Sequence, residues 1–329
     1  MSNNNELLEK VIVTADINAG GGLLRPDQAD RFIDYMWDQT VLGRDARTFR
    51  MRANTAEIDK IGVGQRLVRV ATEAVDDHVN AGATFSKITM TTTKMRLDWE
   101  LSTESLEDNL EGEALEDHIA RLMATQAGND LEDVAINGDS ASADPLLKAF
   151  DGWRKLSLTN GHVVDAAGAP LDKSVFNSAL KAMPRYYKQR RQALRFYAGS
   201  NLIQDYVYGL TEVDVTGVGI GAGVFSGAIT GPQGAPGAVT IAAFGIPVIE
   251  VPMFSETLIG DYAGATGEHG YVELTFPDNR IWAVKREIQV YREFKPKKDT
   301  VEYTVFTRVG VNVEDYDAYV VVKNVKASP

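Results

Sequence analysis

Thr93-Lys94-Met95-Arg96-Leu97-Asp98-Trp99-Glu100-Leu101 alternates apolar or β-branched residues with charged ones over nine positions. Period two of this kind marks a strand with one apolar face and one wet face. Shortly afterwards the period changes. From Glu113 to about Asn137, the residues Leu115, Ile119, Leu122, Met123, Ala127, Leu131 and Val134 recur at helical spacing, which predicts one long amphipathic helix. At about 1.5 Å per residue it would span roughly 37 Å. Glu111, Glu113, Glu116 and Asp117 crowd its start, where carboxylates meet the positive end of the helix dipole. Asn137-Gly138-Asp139 then reads as a turn and stop, since no calcium-ligand series follows it.

Upstream, strand patterning extends back to Arg44. Arg66 to Ala74 is rich in Val and Leu, and Asp76-Asp77-His78-Val79-Asn80-Ala81-Gly82 suits a hairpin tip. These runs predict a long two-stranded ribbon between Arg44 and Leu101, with too little apolar sequence to be stable alone. Residues 1–25 read as an arm ending in Gly20-Gly21-Gly22. Pro26 opens a helix carrying Ala29, Phe32, Ile33 and Met36 that ends before Gly43. Downstream, 146–278 mixes elements: a helix over Lys173–Arg191, a strand at Leu194–Ala198 and a helix at Asn201–Tyr208. A glycine-rich loop over Thr211–Gly237 precedes strands at Val239–Phe244, Pro247–Val251 and Tyr271–Phe276. Two long β runs close the chain, Ile281–Phe294 and Val301–Val313, joined by Lys295-Pro296-Lys297-Lys298-Asp299; Tyr319–Val322 is a last strand. Strands, then helices, then strands indicate an α+β fold.

The chain has 329 residues, 44% hydrophobic and 24% charged, enough for a sizeable core and two lobes. It has no cysteine, which excludes disulfides, thiolate metal sites and a thiol nucleophile and fits a reducing compartment. No segment approaches the roughly 18 apolar residues of a membrane span. The opening Met1-Ser2-Asn3-Asn4-Asn5-Glu6 lacks signal-peptide character, so the sequence predicts a protein made in the cytoplasm.

A net charge of −12 disfavours a conventional nucleic-acid binder. The charge is also uneven. Asp98–Asp144 holds fourteen acids and one base, Arg121; Lys181–Arg195 holds six bases and no acid; Arg280–Lys298 holds seven bases and two acids. Either these are solvated faces, or they meet between copies of the same chain. The second reading predicts contacts between subunits such as Glu107, Asp108 or Glu111 with Arg190, Arg191, Lys297 or Lys298.

Signs of catalysis are missing. His78, His118, His162 and His269 are far apart in sequence, and none lies in an HExxH motif. There is no GxSxG motif. Thr216-Gly217-Val218-Gly219-Ile220-Gly221-Ala222-Gly223 lacks the Gly-Lys-Ser/Thr ending of a phosphate loop and the strand–helix frame of a dinucleotide site. The sequence therefore predicts no catalytic residue, no cofactor and no metal.

The order of segments resembles the Hong Kong 97-type major capsid proteins of tailed double-stranded-DNA bacteriophages, over nearly the whole chain. Trp99-Glu100-Leu101-Ser102-Thr103-Glu104-Ser105-Leu106-Glu107-Asp108 leading into the 113–137 helix, with Asp130–Asp139 at its end, is similar to the family's strand and spine helix. Phe244–Pro252, Arg280–Val290, Thr300–Thr307 and Asp317–Val322 are similar to its later strands. No single motif is diagnostic; the specificity lies in their order. The resemblance implies an N-terminal arm and helix at 1–54 and an extended loop at 55–98. It also implies a peripheral domain at 99–145 and 279–313, and an axial domain at 146–278 and 314–329. It further implies pentamers and hexamers closing into an icosahedral shell around packaged DNA, contacted weakly and without sequence preference.

Some members cross-link through an extended-loop lysine. No lysine lies between Lys60 and Lys87, so no such bond is expected from the ribbon tip. Only about 25 residues precede the first expected helix, so scaffolding would come from a separate protein, alongside a portal and optional decoration proteins. Two alternatives stay open: an encapsulin-like compartment shell with the same fold, and a ligand-binding protein or enzyme using the 217–223 loop.

Overall fold

The computed structural model describes residues 40–62, 84–102, 104, 113–212 and 241–327. In chain order the first half runs α1 (Leu42–Asp45), β1 (Arg47–Arg50), β2 (Thr55–Gly62), β3 (Thr84–Thr91), β4 (Thr93–Ser102) and α2 (Glu113–Asn137). The middle runs α3 (Trp153–Asn160), β5 (His162–Asp165), α4 (Lys173–Ala182), α5 (Arg185–Lys188), β6 (Arg195–Ala198), α6 (Ser200–Glu212), β7 (Ala242–Ala243), β8 (Ile246–Glu250), β9 (Leu258–Ile259) and β10 (Glu268–Thr275). Long strands β11 (Arg280–Lys295) and β12 (Thr300–Val313) and the shorter β13 (Val320–Lys326) close the chain.

A four-stranded sheet has the order β1-β11-β12-β4. β11 and β12 form a long antiparallel hairpin from Arg280 opposite Val313 to Lys295 opposite Thr300. The alternation at 93–101 is resolved here: Met95, Leu97 and Trp99 turn inward while Lys94, Arg96, Asp98 and Glu100 are exposed. Leu97 and Trp99 pack with Val290 and Val305 against Met123, Ala124 and Ala127 of α2, and Met95 packs against the cluster holding Trp282, Val309 and Val311. Trp99 stacks on its cross-strand neighbour Tyr303 with ring centroids 5.0 Å apart.

α2 spans the predicted residues, but Leu122, expected on the buried face, is 56% exposed. At 100° per residue it sits almost opposite the seam formed by Met123, Ala127, Leu131 and Val134. After α2 the chain turns tightly: Gly152 N–H donates to the Gly138 carbonyl at 2.8 Å, and a Cβ on Gly138 would come within 2.4 Å of the Phe150 carbonyl oxygen.

The second, mixed sheet has the order β5-β13-β10-β6-β8-β7, with β9 pairing to β10. α4 lies on it through Val175, Phe176 and Ala179, and Phe176 meets Phe196 edge-on at 4.7 Å. Asp172 caps α4 by accepting from the backbone N–H of Ser174 (2.7 Å) and Val175 (3.1 Å). The helix expected over Lys173–Arg191 is in fact two. Met183 turns extended before Pro184, as a residue preceding proline does, and the single turn α5 follows.

The ribbon also differs from its sequence reading. β2 and β3 pair antiparallel from Thr55 opposite Thr91 to Gly62 opposite Thr84. The strand after them leaves the ribbon at Thr92 and joins the four-stranded sheet, with Thr93 opposite Val309. The ribbon's root rests on its own chain: Ala56, Ile58 and Ile88 pack against Met51, Met90, Ile281 and Ala283. The expected tip at 76–82, the strand at 66–74, the arm and Pro26 helix, and the glycine-rich run at 216–223 lie outside the described residues. Gly43, expected just beyond a helix, lies inside the short α1.

Candidate assembly surfaces

The two sheets share a buried joint. Arg280 opens β11, Glu273 lies in β10 and Tyr319 precedes β13; Arg280 and Glu273 are each 1% exposed. Arg280 Nη2 donates to Glu273 Oε2 at 2.5 Å, Arg280 Nε donates to the Tyr319 hydroxyl at 3.2 Å, and Tyr319 donates to Glu273 Oε2. The guanidinium lies 4.0 Å from the Tyr197 ring. Burial opposes its charge, but Tyr319, Glu273 and Tyr197 together hold its pKa above the ordinary value. A buried pair of this kind adds little net stability, yet losing one partner strands the other charge and costs about 3–5 kcal/mol. The apolar shell is continuous across the joint, from Trp153 and Trp282 to Val311 and Tyr319.

A second buried carboxylate fixes the start of the described chain. Glu132 of α2 accepts from the backbone N–H of Val41 (2.9 Å) and Leu42 (2.6 Å). Burial raises its pKa, opposed by those backbone donors and by Arg280. In sequence Glu132 belongs to the acidic block 98–144, read either as a solvated face or as a contact between copies; neither spacing nor composition marks it as a buried acceptor.

The ribbon root is held by polar contacts besides its apolar packing. Lys60 pairs with Asp315 at 2.9 Å, and Asn312 Nδ2 donates to the Thr89 carbonyl at 2.9 Å. Asn54 Oδ1 accepts from Lys285 Nζ (2.5 Å) and Arg308 Nη1 (2.6 Å). Gly310 of β12 makes the crossing possible: a Cβ there would lie 2.0 Å from the Thr91 carbonyl oxygen.

The candidate contact residues fall into distinct environments. Glu107, Asp108 and Glu111 lie outside the described residues. Lys298 faces Glu100 at 3.4 Å and Glu302 at 3.5 Å, and Lys295 also pairs with Glu302. The 280–298 block thus finds carboxylates within its own chain. Lys297 beside it is exposed. Arg190 lies over the Phe276 ring at 5.5 Å, and Arg191 Nη2 donates to the Phe244 carbonyl at 2.5 Å. Neither arginine meets a carboxylate among the described residues.

Among the described residues no group of three or more His, Asp or Glu could hold a metal ion, and no helix is long and apolar enough to cross a membrane. The concavities are shallow and open. One of about 300 Å³ lies between Lys60 on the ribbon, Tyr187, Arg190, Phe276 and Asp315.

A long helix on a four-stranded sheet, a ribbon rooted at that sheet's edge and a mixed sheet joined through a buried hub define the Hong Kong 97-type capsid fold. Solved structures agree. A chain of the satellite phage P4 procapsid superposes with a TM-score of 0.63 at 14% identity, covering 99% of each chain. The SrpI encapsulin of Synechococcus elongatus superposes at 0.55 and 13% identity, covering 91% of this chain and 90% of that one. In sequence, the chain is 29% identical over 290 residues to YqbE of Bacillus subtilis (strain 168), a prophage protein to which a capsid role is assigned; the match covers 87% of this chain and 88% of YqbE. No family model matches the chain.

Proposed function

We propose that this chain is the major head protein of a tailed phage or prophage. It assembles through pentamers and hexamers into an icosahedral shell around packaged double-stranded DNA, and its role is structural rather than enzymatic. The observation that carries this reading is the near full-length likeness to a prophage capsid protein on a capsid fold. Phage heads and encapsulins share that fold, so the fold alone does not separate them; the sequence relative favours the phage head. A separate scaffolding protein and a portal are the expected partners, with decoration proteins optional and assembly in the host cytoplasm. The arm (1–54), extended loop (55–98), peripheral (99–145, 279–313) and axial (146–278, 314–329) divisions belong to the same proposal. The hydrogen bonding of 93–98 into the four-stranded sheet argues for a somewhat shorter loop. An acidic chain favours weak DNA contact that lets the packaged genome move.

Expression followed by negative-stain microscopy tests the reading. Rings or closed spheres are the expected result, and a stable monomer would overturn it. Nucleic acid in particles from infected or induced cells supports the phage head; a protein cargo without DNA would favour the compartment shell.

A further inference from the structure

The structure separates two basic stretches that look equivalent in sequence. The 280–298 stretch is met inside the chain by Glu100, Glu273 and Glu302. In the other, Lys181, Arg185, Lys188, Arg190 and Arg191 touch no carboxylate among the described residues. Three of these cations, Lys181, Lys188 and Arg191, ring a concavity of about 290 Å³ that is also lined by Asn177, Leu180, Leu194 and Phe244. Phe244 is 47% exposed, and its backbone carbonyl braces the Arg191 guanidinium. Among the described residues no acidic side chain lines this pocket.

We propose that this pocket is a docking site for a carboxylate-bearing surface of a second copy of the chain. The proposal rests on the shell-forming reading above. Three observations select this occupant.

First, the residues that flank the chain's own densest acidic stretch stand far from the pocket. Ser102 pairs with Thr300 at the outer end of β12, about 43 Å along that strand from Val313 at the joint. α2 runs from Asn137, bonded to the Met253 carbonyl at 3.0 Å, out along the sheet to Glu113, about 37 Å away. Both residues flanking 103–112 therefore stand at the far end of the four-stranded sheet, whereas the pocket lies on the mixed sheet. Second, apart from Asn177 and the three cations, the pocket is lined by Leu180, Leu194 and Phe244. A phosphate site is built from backbone N–H groups and polar donors; leucine and phenylalanine beneath three cations suit acidic side chains on a peptide with apolar neighbours. Third, the chain carries −12 overall although the three cations of this pocket meet no carboxylate among the described residues, so its remaining surface is more acidic still. Copies arranged in a ring meet through unlike patches, which pairs such a basic surface with an acidic one.

Particles assembled from an equal mixture of unlabelled and 15N-labelled protein provide the test. A carbodiimide joins lysine amines to carboxylates in direct contact. Digestion should yield mixed-isotope peptides linking Lys181 or Lys188 to an Asp or Glu. In parallel, the triple variant Lys181→Glu/Lys188→Glu/Arg191→Glu should assemble at least tenfold more slowly at low salt, with an unchanged circular dichroism spectrum. Closed particles that lack the mixed-isotope links would overturn this inference and leave the shell reading standing. Amines at 181 and 188 shielded from labelling only in DNA-filled particles would assign the pocket to phosphate and overturn it as well. If no particles form under any condition, the inference falls together with the reading it rests on.

Discussion

The mixed sheet is buried on both faces, and the four-stranded sheet on one. In β10 and β13 nearly every residue is buried, with α4 and α6 supplying cover through Phe176, Leu202 and Ile203. In β4 burial alternates strictly, and the outward residues of β12, such as Glu302, Thr304 and Phe306, are only partly covered. One half of the molecule is covered within the chain, by α4 and α6 on one face and by α3 and the joint-end residues Trp282, Val309 and Val311 on the other. The other holds a long sheet with α2 on its back and, among the described residues, a front that is only partly covered. This is the division of labour expected of a subunit that must be stable before it assembles yet keep a broad face for its neighbours.

Paired truncations test that contrast most strongly. Phe176→Ala should cost about 3–5 kcal/mol in urea unfolding of the unassembled chain, as buried phenylalanine truncations do. Phe306→Ala on the open face, where Lys94 lies 4.2 Å over the ring, should cost only about 1 kcal/mol. Equal costs would mean that the front face is covered within the subunit. Arg280→Ala should be as damaging as the first of these, about 3–5 kcal/mol, because it strands Glu273 in the joint. Replacing both partners by apolar residues (Arg280→Met with Glu273→Leu) should recover much of the loss.

Gly310→Ala should cost about 1–3 kcal/mol through overpacking. It should speed amide exchange in β2 and β3 while leaving β10 and β13 protected; uniform loosening would show that the ribbon root is not a separate unit. Glu132 offers a pH test. Its native pKa is raised by burial, so the folded state holds this proton more tightly than the unfolded chain does. Stability from this group is therefore greatest at low pH and declines as pH rises from the ordinary carboxylate range through the native value. Glu132→Gln should flatten that decline in urea titrations between about pH 4 and 7; an unchanged slope would show the carboxylate is not responsible. Lys298→Ala should have the smallest effect, about 0.2–1 kcal/mol and vanishing in high salt, since its pairs with Glu100 and Glu302 are exposed.

Long periodic elements were legible in the sequence. The alternation at 93–101, the helix at 113–137 and the β11–β12 hairpin each repeat a pattern often enough to fix their type and inward face. What stayed hidden depends on contacts distant in sequence. Nothing in Thr92 announces that the chain changes sheets there; the break becomes visible only when Gly310 is seen to make room for it. Leu122 fits a helical apolar pattern by type, while its angular position exposes it. Pro184 was a local signal, and the long-helix expectation overrode it. Among the charges, sequence correctly marks blocks but cannot sort them: Lys298 and Arg191 look alike until Glu100 and Glu302 are placed beside only one of them. The buried roles of Glu132 and Glu273 have no sequence signal at all, since each is defined by partners at least seven and up to ninety-one residues away.

The crossing at Gly310 also sets a mechanical gearing. The eight paired residues of each ribbon strand extend about 26 Å from that point. By simple leverage, a tilt of about 5° at the root sweeps the outer end of this pairing through about 2 Å. A small adjustment where β12 passes beneath Thr91 would therefore re-aim the paired ribbon strands, and the missing side chain at position 310 is what lets the two backbones meet there.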